Sequence, residues 1–337
     1  MMKYPAFLKK GNTIGLACPS FGCNADPYLS RYLSSKRKFS ELGYHLIEAP
    51  SVYRLENAES NTCDVRAKEL LDLYLSDDVD FVLSNGGGEI MVEILPYIDF
   101  EMLKTKKPKF FMGYSDNTNF TFTLTTICDI ASIYGPHTPD FGMVPWDQAI
   151  HDAYRIMQGD LFIEHNYPFW EREWINNGVV LAPYTNTEPV YWKSKEEVSM
   201  EGRIIGGCLD CLVTLVGTPY DQVKSFNERY KNDGIIWYLE SCDLHSLAVK
   251  RALWQLKNAG WFQYVKGFIF GRPANTAEPF GVSYEKAVYD HLGEYNVPIV
   301  LDACIGHVSP TITIINGSYA KVWVKDGKGS LEMLLKE

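Results

Sequence analysis

From residue 12 to about 140, short apolar runs alternate with amphipathic segments. TIGLACPS (13–20), YHLIEAP (44–50), DFVLSNGGG (80–88), KFFMGYS (109–115) and ASIYGPH (131–137) are nearly continuous in apolar residues and finish among Gly, Pro or Ser. Runs of that length and ending predict strands buried on both faces. Between them, PYLSRYLSSKRKFSELG (27–43) and DVRAKELLDLYLS (64–76) carry a helical pattern. Gly43 stands where a helix C-cap belongs, and Leu70, Leu71, Leu73 and Leu75 supply an apolar side. Strand–helix alternation at these spacings predicts a parallel sheet covered by helices, with ligands taken at the carboxyl ends of the strands.

The pattern breaks between about 141 and 200. This stretch is rich in Trp, Tyr, Asn and Glu, with Trp146, Trp170, Trp174 and Trp192, and is interrupted by Pro145, Pro168, Pro183 and Pro189. It reads as a linker and irregular insertion, one wall of a cleft. Alternation resumes near Glu201 with GRIIGGCLDCLVTLVG (202–217), strand GIIWYLES (234–241), a helix from His245 to Asn258, strand KGFIFGRP (266–273), a helix over 284–295 and strand PIVLDACIGH (298–307). Asn316-Gly317 and Asp326-Gly327 then interrupt alternating residues as hairpin turns. The expected division is a first α/β domain over 1–145, an insertion over 146–200 and a second α/β domain over 201–337.

Composition narrows the functional classes. The 337 residues carry 32 basic and 42 acidic side chains, a net charge of −10. An acidic chain lacks the footprint that nucleic acid or an anionic membrane demands. The basic cluster over 104–109 reads as a solvated loop. No run of about 18 apolar residues occurs, and the N-terminus lacks a signal-peptide core, so the expected location is the cytoplasm. The eight cysteines (18, 23, 63, 128, 208, 211, 242 and 304) are scattered as reduced thiols would be. Cys208 and Cys211 form a C-x-x-C without a second pair or a nearby histidine, which reads as spacing at a helix start and predicts no metal.

The sharpest chemical signal is KFFMGYSDNTNF, a buried strand running into Gly113-Tyr114-Ser115-Asp116 and then a helix. A serine on such a turn is pushed out of the sheet beside the positive end of the helix dipole, and the next amide can donate to an oxyanion. Asn117 stands where the usual pattern has a second glycine. The same residues also suit an ordinary helix cap. Ser84-Asn85-Gly86-Gly87-Gly88-Glu89 follows another strand, and its glycines allow close backbone approach to a ligand. It matches no dinucleotide or P-loop fingerprint, so it serves equally as an oxyanion loop or a weak phosphate cradle. A serine nucleophile needs a base and a residue to orient it. Of seven histidines, His307 directly follows a strand end, with His137 next in line though better read as structural. Glu240 ends an apolar strand, where an acid needs either a partner or solvent.

Taken together, M-G-Y-S-D, Gly87-Gly88 followed by I-L-P-Y-I-D-F, the strand-end Glu in Y-L-E-S, G-R-I-I-G-G and G-H-V-S-P-T-I-T resemble the LD-carboxypeptidase family of serine peptidases, in order and over nearly the whole chain. The resemblance implies a flavodoxin-like first domain, a smaller α/β second domain ending in β-hairpins, and a homodimer. It implies Ser115 as nucleophile, His307 as base, Glu240 as the residue orienting it, and Gly88 and Asp116 as backbone oxyanion donors, with no cofactor. Ser115 would then come from the first domain and the other two from the second, across a cleft.

The family's murein enzymes carry a basic residue before the glycine pair and Tyr-Gly after it. Here Gly86 precedes Gly87-Gly88, and Glu89 and Ile90 follow. The chain is therefore more similar to the branch typified by microcin C self-immunity peptidases, which implies a small peptide–nucleotide or aminoacyl-adenylate-like substrate rather than a murein tetrapeptide. Gly87 and Glu89 would face that substrate, and Trp170 or Trp192 could stack on a base unless each is core. The rival of another class is a non-catalytic nucleotide-binding protein.

Overall fold

The computed structural model describes residues 1–172 and 179–337. The chain divides into two compact units, one holding residues 1–160 and 179–185, the other 161–172 and 186–336. Trp174 lies outside the described residues. The 146–200 stretch contributes to both units.

In the first unit the apolar runs become β1 (Thr13–Ala17), β2 (His45–Glu48), β3 (Phe81–Ser84), β4 (Phe110–Met112) and β5 (Ser132–Tyr134). They alternate with α1 (Tyr28–Glu41), α2 (Cys63–Leu75), α3 (Phe100–Thr105) and α4 (Thr118–Cys128), and α5 (Gln148–Met157) follows. The strands are parallel, in the order β2-β1-β3-β4-β5. The order reverses between β1 and β3, and such a switch opens a crevice at the strand ends. Gly43 closes α1 at φ +91°, letting Tyr44 N–H return to Phe39 O. Helix α4 is buried on nearly every side although rich in β-branched threonine. Thr123, Thr125 and Thr126 satisfy their hydroxyls on carbonyls four residues back, which removes the cost of burying them.

The second unit is built on one mixed sheet. Its strands are β6 (Glu164–His165), β9 (Val198–Cys208), β10 (Ile235–Glu240), β11 (Val265–Gly271), β12 (Ile299–Ala303), β14 (Tyr319–Lys325) and β15 (Lys328–Leu334), in the order β12-β11-β10-β9-β14-β15-β6. A ribbon of β7 (Phe169–Trp170) and β8 (Glu188–Pro189) and a short β13 (Ile314–Asn316) complete the strands, and α6 (Leu209–Leu215), α7 (Val223–Arg229), α8 (Ser246–Asn258) and α9 (Tyr284–Leu292) the helices. Strand β9 shows why its sequence changes character halfway. Residues 198–203 pair antiparallel with β14 and alternate buried and exposed, whereas 203–208 pair parallel with β10 and are wholly buried.

Two expectations need correcting. Asp326-Gly327 closes β14 on β15, both residues at positive φ (51° and 76°) as a type I′ turn requires. Asn316-Gly317 also turns, with Ser318 N–H on Ile315 O, but β13 does not pair with β14 and no hairpin forms there. The basic cluster is not all solvated either. Lys106 and Lys107 are exposed, while Lys109 is 4% exposed and its ammonium donates to the carbonyls of Tyr74 and Ser76. Those carbonyls end α2 and have no partner within the helix, so the lysine is drawn in as a C-terminal cap. Among the described residues, no helix is long and apolar enough to cross a membrane.

Candidate active site

Ser115 sits at the carboxyl end of β4 with φ +61°, a left-handed conformation costing a non-glycine residue about 1–3 kcal/mol. The strain is held on several sides. Gly113 N–H donates to Ile133 O on the neighbouring strand, and Ser115 N–H donates to the Tyr134 hydroxyl at 3.2 Å. One 3₁₀ turn (Ser115–Asn117) then leads into α4. A Cβ on Gly113 would lie 2.9 Å from the Asn117 side chain and 3.0 Å from Ser84 Cβ, so only glycine fits where strand and helix meet.

The glycine loop lies against this elbow. A Cβ on Gly87 would stand 3.0 Å from Ser115 Oγ, and one on Gly88 (φ +155°) would fall 2.0 Å from Ser20 Oγ. Ser20 Oγ donates to the Asp116 carboxylate at 2.5 Å, which also accepts from Met91 N–H and the Asn119 amide. Burial raises the Asp116 pKa and these donors oppose the rise, so its side chain is committed to bracing the loop on the elbow. Ser115, Asp116, Gly87 and Gly88 are therefore brought together within the first unit. Glu89 is exposed at the loop's end. His137 is 7% exposed and stacks on Tyr114 at 4.2 Å, its Nε2 lying 3.1 Å from the Tyr114 carbonyl and from the Asn117 amide. It supports the backbone of the elbow.

The second unit places Glu240 and His307 side by side. Glu240 closes β10 and is 1% exposed, and its Oε2 accepts from His307 Nδ1 at 2.8 Å. A lone buried carboxylate would cost several kcal/mol, so Glu240 persists there because it is paired. Burial lowers the His307 pKa, but the Glu240 charge, and the ring's hydrogen bonds to Cys242 and Glu240, outweigh it and hold the pKa well above the ordinary value. The contact depends on glycine. A Cβ on Gly306 (φ +94°) would fall 2.4 Å from Glu240 Oε2, and one on Gly271 would stand 2.9 Å from Glu240 Cβ.

The tryptophans differ. Trp192 is 2% exposed, with the backbone of Gly329 against its ring, and is a core residue with no face for stacking. Trp170 is partly exposed, with the guanidiniums of Arg272 and Arg172 at 5.2 and 5.7 Å from its ring. Sequence reasoning did not single out Arg272, which follows Gly271 at the end of β11; a cation closing an apolar strand is the same signal that marked Glu240. It also left Cys208 and Cys242 without a role, though the register pairs Cys208 with Glu240 and Cys242 bonds to His307.

Comparison with known proteins adds context to this geometry. Residues 14–135 match the family description of the LD-carboxypeptidase N-terminal domain, and residues 201–322 that of the LD-carboxypeptidase C-terminal domain. A probable murein peptide carboxypeptidase of Bacillus subtilis (strain 168) is 25% identical over 321 residues, spanning 94% of this chain and 90% of its own. The microcin C7 self-immunity protein MccF of Escherichia coli is 25% identical over 276 residues, 79% of this chain and 76% of its own. A solved structure of microcin C7 self-immunity protein MccF in complex with aspartyl sulfamoyl adenosine has the same fold, with a TM-score of 0.82 at 21% identity over 98% of this chain and 99% of that one.

Proposed function

As the chain belongs to the LD-carboxypeptidase family of peptidases, we propose that it is a serine peptidase whose triad is Ser115, His307 and Glu240. The observation that carries this reading is the buried Glu240 held 2.8 Å from His307 Nδ1, in a chain whose Ser115 occupies a strained strand-to-helix elbow. Glu240 keeps the Nδ1–H tautomer, leaving Nε2 to take the Ser115 hydroxyl proton. Ser115 Oγ then bonds to the scissile carbonyl, whose developing oxyanion is met by the backbone amides of Gly88 and Asp116. Collapse breaks the C–N bond and the imidazolium returns its proton to the leaving amine. Water, deprotonated by the same imidazole, hydrolyses the acyl-enzyme.

The substrate we propose is a peptide–nucleotide or aminoacyl-adenylate-like amide. MccF is named in complex with aspartyl sulfamoyl adenosine. Here Trp170 offers a partly exposed ring with two guanidiniums at 5.2 and 5.7 Å from it, a setting suited to a base with an anionic linkage beside it. Glu89 beside the glycine pair, and Gly86 in place of a cation, disfavour the free terminal carboxylate of a murein peptide. The likeness to a murein peptide carboxypeptidase over 94% of the chain favours the murein tetrapeptide as second reading. Fluorophosphonate labelling should modify Ser115 stoichiometrically, and its absence beside a reactive control enzyme would return the chain to a nucleotide-binding role. Comparing kcat/KM on aspartyl sulfamoyl adenosine and murein tetrapeptide decides the substrate. A tenfold preference for the tetrapeptide, about 1.4 kcal/mol of transition-state binding, would overturn the first choice.

A further inference from the structure

The C-x-x-C at Cys208 and Cys211 lacks a histidine neighbour in the sequence but gains one in the fold. Register places Cys208 opposite Glu240 at the ends of β9 and β10. Among the described residues, one donor atom each of Cys208, Glu240 and His307 lie within 4.8 Å of one another. Further soft donors stand beside them. Cys211 hydrogen-bonds the Cys208 sulfur, and Cys242 hydrogen-bonds the His307 ring. A thiol, an imidazole and a carboxylate are a donor set of zinc proteins, whereas magnesium and calcium select oxygen. Around Zn²⁺, ligand atoms sit about 2.0–2.3 Å from the ion and so roughly 3.3–3.8 Å from one another. Small side-chain adjustments bring these three donors to that spacing. The hydrogen bond between His307 Nδ1 and Glu240 Oε2 is then the contact the ion must replace.

We propose that Cys208, Glu240 and His307 form a binding site for a zinc-class divalent cation, and that occupancy switches off His307 as a base. Binding releases the Cys208 thiol proton to solvent and leaves thiolate, imidazole nitrogen and carboxylate on the ion. If the ion takes Nδ1, the ring's remaining proton resides on Nε2, which becomes a donor. If it takes Nε2, the basic lone pair is occupied directly. In both arrangements the imidazole cannot accept a proton from a hydroxyl. The site thus couples metal availability to turnover, and this last consequence rests on the peptidase reading above.

Equilibrium dialysis of the full chain against Zn²⁺ tests the site independently of any activity. One equivalent should bind, and Cys208→Ala, with Cys208→Ser as a second variant retaining side-chain size, should weaken binding at least tenfold while circular dichroism stays unchanged. Co²⁺ loaded in place of zinc should show a thiolate-to-metal charge-transfer band that Cys208→Ala abolishes. Zinc should inhibit wild-type turnover reversibly by chelation and inhibit Cys208→Ala at least tenfold less. Absence of stoichiometric binding overturns the site, as does binding of undiminished tightness in both Cys208 variants. Intact binding with unaffected turnover would instead overturn the role of His307.

Discussion

The Ser115 elbow and the Glu240–His307 pair are held by different physics. At the elbow, consecutive residues are forced into a strained backbone by glycines too small to clash and by amides bonded across β4 and β5. At the pair, Gly271 and Gly306 provide the room, and charge in a buried environment keeps together two side chains distant in sequence. The elbow is thus a steric device that tolerates little change of shape. The pair is an electrostatic device, sensitive to charge and pH. In the proposed triad, a nucleophile needs its position fixed, while a base needs its proton affinity tuned, and the two devices match those separate needs.

The largest test removes either device. Ser115→Ala and His307→Ala should each reduce kcat by on the order of 10⁵–10⁶, and the double variant should be little worse, because triad members act as a unit. Near wild-type turnover in His307→Ala would move the base elsewhere, with His137 next in line.

Neutralising the charge without changing its shape probes the pair alone. Glu240→Gln should lower kcat by up to about 10⁴, less than loss of His307 itself. It should also move the acid limb of kcat/KM. A base works when deprotonated, and the Glu240 charge, assisted by Cys242, holds the His307 pKa well above about 6.5, so wild-type activity should rise with pH above that value. With Glu240 neutral, burial dominates and the limb should shift to lower pH. Stability runs the opposite way. A pKa raised by folding contributes stability that is complete below the unfolded value and is lost as pH rises through the folded one. Urea titrations across pH should therefore show the wild type losing a contribution that Glu240→Gln lacks. An unmoved limb would mean that the pair does not control the proton.

Shape without charge is tested by Gly306→Ala. The added methyl meets the Glu240 carboxylate at positive φ, and displacing the pair by about 1 Å should cost roughly 10²-fold in kcat. Labelling of Ser115 by a fluorophosphonate should then slow as well, since its base is misplaced.

The smallest effect lies outside both devices. Lys109→Ala removes the ammonium that donates to the carbonyls of Tyr74 and Ser76 and should cost about 1–3 kcal/mol in chemical denaturation, whereas Lys107→Ala should stay within about 0.5 kcal/mol. Equal effects would contradict the burial that separates these neighbouring lysines.

Much of the elbow was legible because it is local. Gly113, Ser115 and the helix after them are adjacent in sequence, and turn chemistry depends on neighbours along the chain. The strand–helix alternation was legible for the same reason, since apolar periodicity records which face each element buries. By pattern alone, Glu240 and His307 were visible as chemistry stranded at strand ends, which marks a residue without naming its partner; only the family resemblance supplied the expectation that they pair.

The sequence by itself determined the strand–helix alternation of the α/β architecture, the turn carrying Ser115 and the type I′ hairpin at Asp326-Gly327, because each follows from short-range sterics and hydrophobic pattern. The tertiary structure alone decided that Glu240 is buried on His307, that Cys208 lies in register with Glu240, that Lys109 turns inward and that Trp192 is core. Those outcomes depend on register and burial between segments tens of residues apart. No local preference of one segment specifies which atoms of another it will meet.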